Sequence, residues 1–153
     1  KRSNVPGMRS GFVAGDAGLI SSFLRYRTYH GCAMPSYVQA ASIRAWNDEE
    51  HVRENRKLYR EKFSAVLGIL SPVMKVYPPA AGFYLWPELP IADEEFARGL
   101  YSAHNVTVLP GSFLSRPVNA INPGANRLRL ALVPPLAACV EAAWRIRDYL
   151  QNF

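Results

Sequence analysis

The sequence predicts an α/β chain in two parts, on three observations. Apolar residues recur at helical spacing in five stretches, most clearly from Val52 to Leu70. Shorter apolar or alternating runs, bounded by glycine and proline, read as strands. At Trp46–Asp48 one helix breaks at Asn47 and Asp48 opens another, so segment 1–46 and segment 47–153 read as separate domains.

In order, Gly11–Gly15 reads as a short buried strand closed by glycine, and Asp16 as the cap of a helix carrying Leu19, Ile20, Phe23 and Leu24. The expected sheet partners of that strand lie upstream of residue 1. Arg25–Pro35 reads as a turn rich in Tyr26, Tyr29 and His30, whose rings suit an apolar rim. Pro35–Trp46 is a helix with a small-residue face of Val38, Ala41, Ser42 and Ala45. The helix after Asp48 runs to about Ser71, apolar on one side and solvated on the other through Glu50, Arg53, Lys57 and Glu61. Val73–Tyr77 and Gly82–Trp86 read as strands, and Asp93 as the cap of a helix holding Phe96, Leu100 and Tyr101. Asn105–Leu109 reads as a strand stopped by Pro110 and Gly111, with a loop to about Asn126. Arg127–Val133 is an alternating strand: Leu128, Leu130 and Leu132 take one face, Arg127 and Arg129 the other. Pro135 begins a last helix, in which Leu136, Val140, Ala143, Trp144 and Ile146 are expected to be partly buried.

A chain of 153 residues, 49% hydrophobic and 20% charged, can bury a core of its own. The net charge of +6 and pI of 9.6 arise from Lys and Arg interleaved with Asp and Glu. With no basic block and no RNA-binding aromatic motif, nucleic acid is not expected as a partner. No apolar run reaches the roughly 18 residues of a membrane span, so no membrane partner is expected either. Cys32 and Cys139 lie far apart and fit no metal spacing. Their isolation suits small buried residues in a reducing cytoplasm. The chain starts at Lys1 without a methionine or a signal-peptide pattern, and a piece of a longer protein is expected.

Two stretches carry chemistry. In Lys1-Arg2-Ser3-Asn4-Val5-Pro6-Gly7-Met8-Arg9-Ser10-Gly11, two cations stand eight residues apart around Pro6-Gly7, a shaped turn and not a helix. A desolvated lysine condenses with a carbonyl, and an arginine grips a phosphate through two parallel hydrogen bonds. Pyridoxal phosphate, an aldehyde and a phosphate in one molecule, needs both. Spacing alone favours a solvated basic surface. The same holds for the basic face of Arg127 and Arg129.

The first stretch resembles the lysine-to-arginine segment of the class I/II aminotransferases of fold type I, whose arginine sits in G-x-R-x-G, here Gly7-Met8-Arg9-Ser10-Gly11. Within that family it looks most like the N-succinyldiaminopimelate type. That likeness runs through Arg2–Gly7, Tyr26-Arg27-Thr28-Tyr29-His30-Gly31 and Val108-Leu109-Pro110-Gly111-Ser112, and Gly82-Phe83-Tyr84-Leu85-Trp86 matches the family's aromatic strand.

The resemblance implies the end of a large cofactor domain at 1–46, followed by the small α+β C-terminal domain at 47–153. It implies Lys1 as the catalytic lysine bound to pyridoxal phosphate and Arg9 as the phosphate anchor. Arg129, rather than Arg127, falls on R-[IL]-A-L-V and would hold the substrate's α-carboxylate. Proton transfer by Lys1 would require its pKa to fall from about 10.4 through desolvation and nearby cations. Amino acid and 2-oxo acid substrates, a homodimer and a cytoplasmic location are likewise implied. Residues 25–35 correspond to a region that often reaches a partner subunit. The rest of the family's cofactor pocket would lie before Lys1. Two rivals follow: an aminotransferase of aspartate, alanine or glutamine type, and a non-catalytic fragment or interaction module.

Overall fold

The computed structural model describes residues 2–152. It forms two compact units that divide between Arg56 and Lys57.

The first unit is helical. Residues Pro6–Met8 form a single 3₁₀ turn, closed by Met8 N–H donating to Val5 O (3.1 Å) and Arg9 N–H donating to Pro6 O (3.2 Å). The expected turn is therefore a short helix. Its left-handed positions are Asn4 (φ 52°) and Arg9 (φ 53°) and not Gly7; asparagine tolerates that region through local hydrogen bonding. Gly11–Gly15 is not a strand, and Phe12 and Val13 are 75% and 61% exposed. A strand needs a ladder partner, and this unit has no strand among its described residues.

Asp16 caps α1 (Ala17–His30) as expected, its Oδ1 accepting from the N–H groups of Gly18 (3.0 Å) and Leu19 (3.1 Å). The helix continues through Arg25–His30, where the sequence suggests a turn. Tyr26 and His30, one turn apart, stack at 4.6 Å between ring centroids, and Gly31 ends the helix. Helix α2 (Ser36–Trp46) follows Pro35, with Val38 buried and the Ser42 hydroxyl at 2.6 Å from that of Ser10. Asp48 caps α3 (Glu50–Leu70) by accepting from Glu50 N–H at 2.9 Å.

The second unit takes up the later turns of α3. Its sheet has the order β1-β3-β2, all antiparallel: β1 (Tyr84–Leu85), β2 (Leu109–Pro110) and β3 (Leu128–Ala131). Helices α4 (Asp93–His104) and α5 (Leu136–Gln151) pack together, with Phe96 edge-on to Tyr149 at 5.2 Å. Leu70, Leu85, Phe96, Leu100 and Leu128 are fully buried at the centre of the core. Alternation in β3 is as expected: Leu128, Leu130 and Leu132 face the core. Lys62 Nζ donates to the carbonyls of Leu132 (3.1 Å) and Val133 (3.2 Å), fastening α3 to the end of that strand.

Several expectations fail locally. Val73–Tyr77 is reduced to one bridge, Lys75 with Glu88. Asn105 ends α4 in the left-handed region, and pairing starts only at Leu109. Ala92 takes the cap position of α4, leaving Asp93 for another task. In α5, Cys139 replaces Leu136 and Trp144 among the buried residues; the last two are 40% and 46% exposed. Cys32 is exposed and Cys139 buried.

The segment 111–126 is built of turns. It opens with a 3₁₀ turn, Gly111–Leu114, and its tip is a tight turn closed by two 2.9 Å bonds between Val118 and Ile121. At its base the backbones of Gly111 and Gly124 approach so closely that a Cβ on either would collide with the other's carbonyl oxygen.

Candidate active site

In the second unit the site is built on the outer face of β3. The register pairs Tyr84 with Ala131 and Leu85 with Leu130, and the bridge of Glu88 to Arg127 continues it. Tyr84 and Glu88 therefore share the face of Arg127 and Arg129, while Leu85, Leu128 and Leu130 face the core.

The two arginines meet different partners. Arg127 Nη2 donates to Glu88 Oε1 at 2.5 Å, and the other Glu88 oxygen pairs with Lys75. The hydrogen bond from Lys75 is the largest influence on Glu88, and with Arg127 it holds that carboxyl below its ordinary range despite partial burial; Lys75 is raised in return. Among the described residues Arg129 meets no such carboxylate. Its Cζ lies over the Tyr84 ring, 4.9 Å from the centroid, and its Nε is buried without a hydrogen-bond partner. A buried donor left unmade costs about 1–3 kcal/mol, and a guanidinium with an open fork suits a bidentate carboxylate.

In the first unit, Arg9 is exposed, and its Nη1 donates to Pro6 O at 3.2 Å, leaving its other donors toward solvent. Lys1 lies outside the described residues. Its neighbours are pinned. Arg2 donates to Ala45 O (2.7 Å), pairs with Glu49 and lies 4.7 Å over the Trp46 ring. Ser3 meets His51 Nε2 at 3.0 Å, and Asn4 donates to Asn55 Oδ1 at 2.7 Å. The segment following Lys1 is thus held by the end of α2 and the start of α3. His30, given no role from sequence, stacks on Tyr26.

Among the described residues, no helix is long and apolar enough to cross a membrane, and no three metal-ligating side chains cluster.

The model of the family "Aminotransferase class I and II" matches residues 1–145. The chain belongs to that family. An aminotransferase of Neisseria meningitidis is 54% identical over 97% of this chain and 38% of its own, with a TM-score of 0.84. A probable N-succinyldiaminopimelate aminotransferase of Thermus thermophilus is 31% identical over 96% of this chain and 39% of its own, with a TM-score of 0.80. A probable aminotransferase of Mycobacterium tuberculosis is 33% identical over 86% of this chain and 30% of its own length. The chain thus spans well under half the length of these aminotransferases, and its fold is that of the C-terminal part of fold type I.

The family's cofactor, pyridoxal phosphate, fits the donors present. Arg9 holds a guanidinium with unused N–H groups beside a tight turn, which suits a phosphate. The sequence places Tyr84 only within the aromatic strand Gly82–Trp86 and assigns it no contact with Arg129. The aromatic strand was visible as a signal, but its register against β3 is a non-local fact.

Proposed function

We propose that this chain is the C-terminal part of a pyridoxal-phosphate-dependent aminotransferase, and that it supplies the catalytic lysine, a phosphate anchor and the substrate carboxylate clamp. The observation that carries this is the contrast along the outer face of β3 and the residue before it: Arg127 pairs with Glu88, while Arg129 keeps a buried Nε with no hydrogen-bond partner among the described residues.

In this reading Arg129 binds and orients the α-carboxylate of amino acid and 2-oxo acid alike, and Arg9 holds the cofactor phosphate. The cofactor, when bound, supplies the electron sink that acidifies the Cα–H. Lys1, kept neutral, would take the proton from Cα of the amino acid, and its protonated form would supply one to Cα of the 2-oxo acid in the return half-reaction. A homodimer in the cytoplasm is part of the same proposal.

The substrate we favour is N-succinyldiaminopimelate with 2-oxoglutarate as acceptor, which places the enzyme in lysine biosynthesis. The motifs at Arg2–Gly7, Tyr26–Gly31 and Val108–Ser112 support it, as does the resemblance to the Thermus thermophilus protein. Aspartate, alanine and glutamine are the competing donors.

Two experiments on an intact enzyme carrying this chain test the proposal. Borohydride reduction is expected to fix the cofactor's mass on the peptide containing Lys1; labelling of another lysine alone would remove the assignment. Turnover of the four donors with 2-oxoglutarate is expected to favour the succinylated diamine, and a preference for aspartate would overturn the substrate.

A further inference from the structure

We infer that Tyr84 is a positioning residue for Arg129: its ring aims the guanidinium while leaving the N–H fork open. The inference rests on the reading of Arg129 as the carboxylate clamp.

Tyr84 stands opposite Ala131, two residues from Arg129 on the same face, so it is Arg129's diagonal neighbour across an antiparallel pair. Diagonal neighbours are about 7–8 Å apart at the backbone, within reach of an aromatic ring and a long side chain. The observed separation of 4.9 Å from Cζ to the ring centroid lies inside the range of a cation–π contact.

A guanidinium needs its orientation fixed before it can grip a planar carboxylate in two bonds. Most orienting groups are acceptors that consume N–H donors. Glu88 does this to Arg127. An aromatic face holds the cation through its π-electrons and accepts none of the in-plane N–H bonds. Tyr84 thus restrains the side chain of Arg129 and leaves Nε unpaired. The Tyr84 ring also meets Phe83, at 4.1 Å between centroids, and Phe83 in turn meets Tyr59 at 6.0 Å.

The test uses the variants Tyr84→Phe and Tyr84→Val, the second keeping a β-branched residue so that the strand still forms. In the 153-residue chain, the Nε–H resonance of Arg129, assigned by its loss in Arg129→Lys, is followed by nitrogen–proton NMR. Tyr84→Val should move that resonance and speed its solvent exchange, whereas Tyr84→Phe should keep both near the parent values. In the intact enzyme, Tyr84→Val should raise the KM of amino acid and 2-oxo acid by about tenfold, the size of a partly desolvated cation–π contact, and leave kcat within about twofold. Tyr84→Phe should restore KM.

An unchanged Nε–H resonance in Tyr84→Val would overturn the inference. So would an unchanged KM in Tyr84→Val when Arg129→Ala raises it. If Arg129→Ala itself left KM unaltered, the clamp reading would fall first and take this inference with it.

Discussion

The carboxylate of Asp93 accepts both the backbone N–H and the hydroxyl of Ser112, at 2.8 and 2.6 Å, through the same oxygen. Its second oxygen accepts Asn126 N–H at 3.2 Å. One buried residue at the head of α4 therefore joins both ends of the 111–126 segment, directly before the strand that carries Arg129.

Among the described residues Asp93 is the only buried polar or charged one. Asp93→Ala leaves three part-buried donors without their acceptor and is expected to cost about 1–3 kcal/mol in urea unfolding. Burial is the largest single influence on the Asp93 carboxyl and raises its pKa, but the bonds from Ser112 and Asn126 together outweigh it and hold the group below its ordinary range. A depressed folded-state pKa contributes stability that is present above the unfolded value near 3.9 and is lost as pH falls through the folded value. Unfolding midpoints should accordingly fall more steeply below about pH 4 in the parent than in Asp93→Asn. Parallel curves would mean that the hub bonds are not made.

Arg127 and Arg129 should separate cleanly. Arg129→Ala, measured in the intact enzyme, is expected to raise the KM of both substrates by about 10–100-fold, the worth of charged hydrogen bonds. Arg127→Ala breaks a half-exposed ion pair and should leave KM within about twofold. A reversal of the two effects would move the clamp to Arg127.

Arg9→Ala is expected to weaken retention of the cofactor, measured by absorbance after gel filtration, with activity partly restored by excess pyridoxal phosphate. Retention equal to the parent would assign the phosphate to another cation.

At Gly111 an added Cβ would press on the carbonyls of Gly124 and Arg127. Backbone cannot yield as a flexible side chain does, so Gly111→Ala is expected to destabilise by about 1–3 kcal/mol. Thermal unfolding of the variant decides this, and an unchanged midpoint would refute the close approach.

We keep the domain boundary at Trp46–Asp48 as a proposal. The residues of the main core all lie between Val66 and Ile146. Residues 47–153 expressed alone should unfold cooperatively in urea. In the first unit Phe12, Leu19, Leu24 and Tyr29 are 75%, 72%, 66% and 81% exposed. The 153-residue chain should therefore bind a hydrophobic dye more strongly than residues 47–153. A dye-silent, fully cooperative 153-residue chain would count against the boundary.

Local signals were legible in the sequence where local physics decides. Asp16 and Asp48 cap their helices, Pro35 and Pro135 precede helices, and the leucines of β3 alternate into the core. What could not be read depends on partners distant in sequence. Gly11–Gly15 has strand composition but no ladder. Asp93 looks like a cap, yet its acceptors serve donors 19 and 33 residues away. Arg127 and Arg129 are indistinguishable by periodicity, because only the register of β1 and the residues after it brings Glu88 to one and Tyr84 to the other.

The turn at Val118–Ile121 has a consequence for how this fold can vary. Asn119 and Ala120 both hold positive φ, at 51° and 63°, as a two-residue hairpin turn demands, and the flanking Val118 and Ile121 are 64% and 69% exposed. The strain of the left-handed region at Ala120 would be relieved by glycine. With Gly111, Gly124 and Asp93 closing the segment below, the tip is a detachable cap on a sealed stem. Peptides of different length and chemistry could be grafted there, and new surface chemistry could arise there, without retuning the strand beneath.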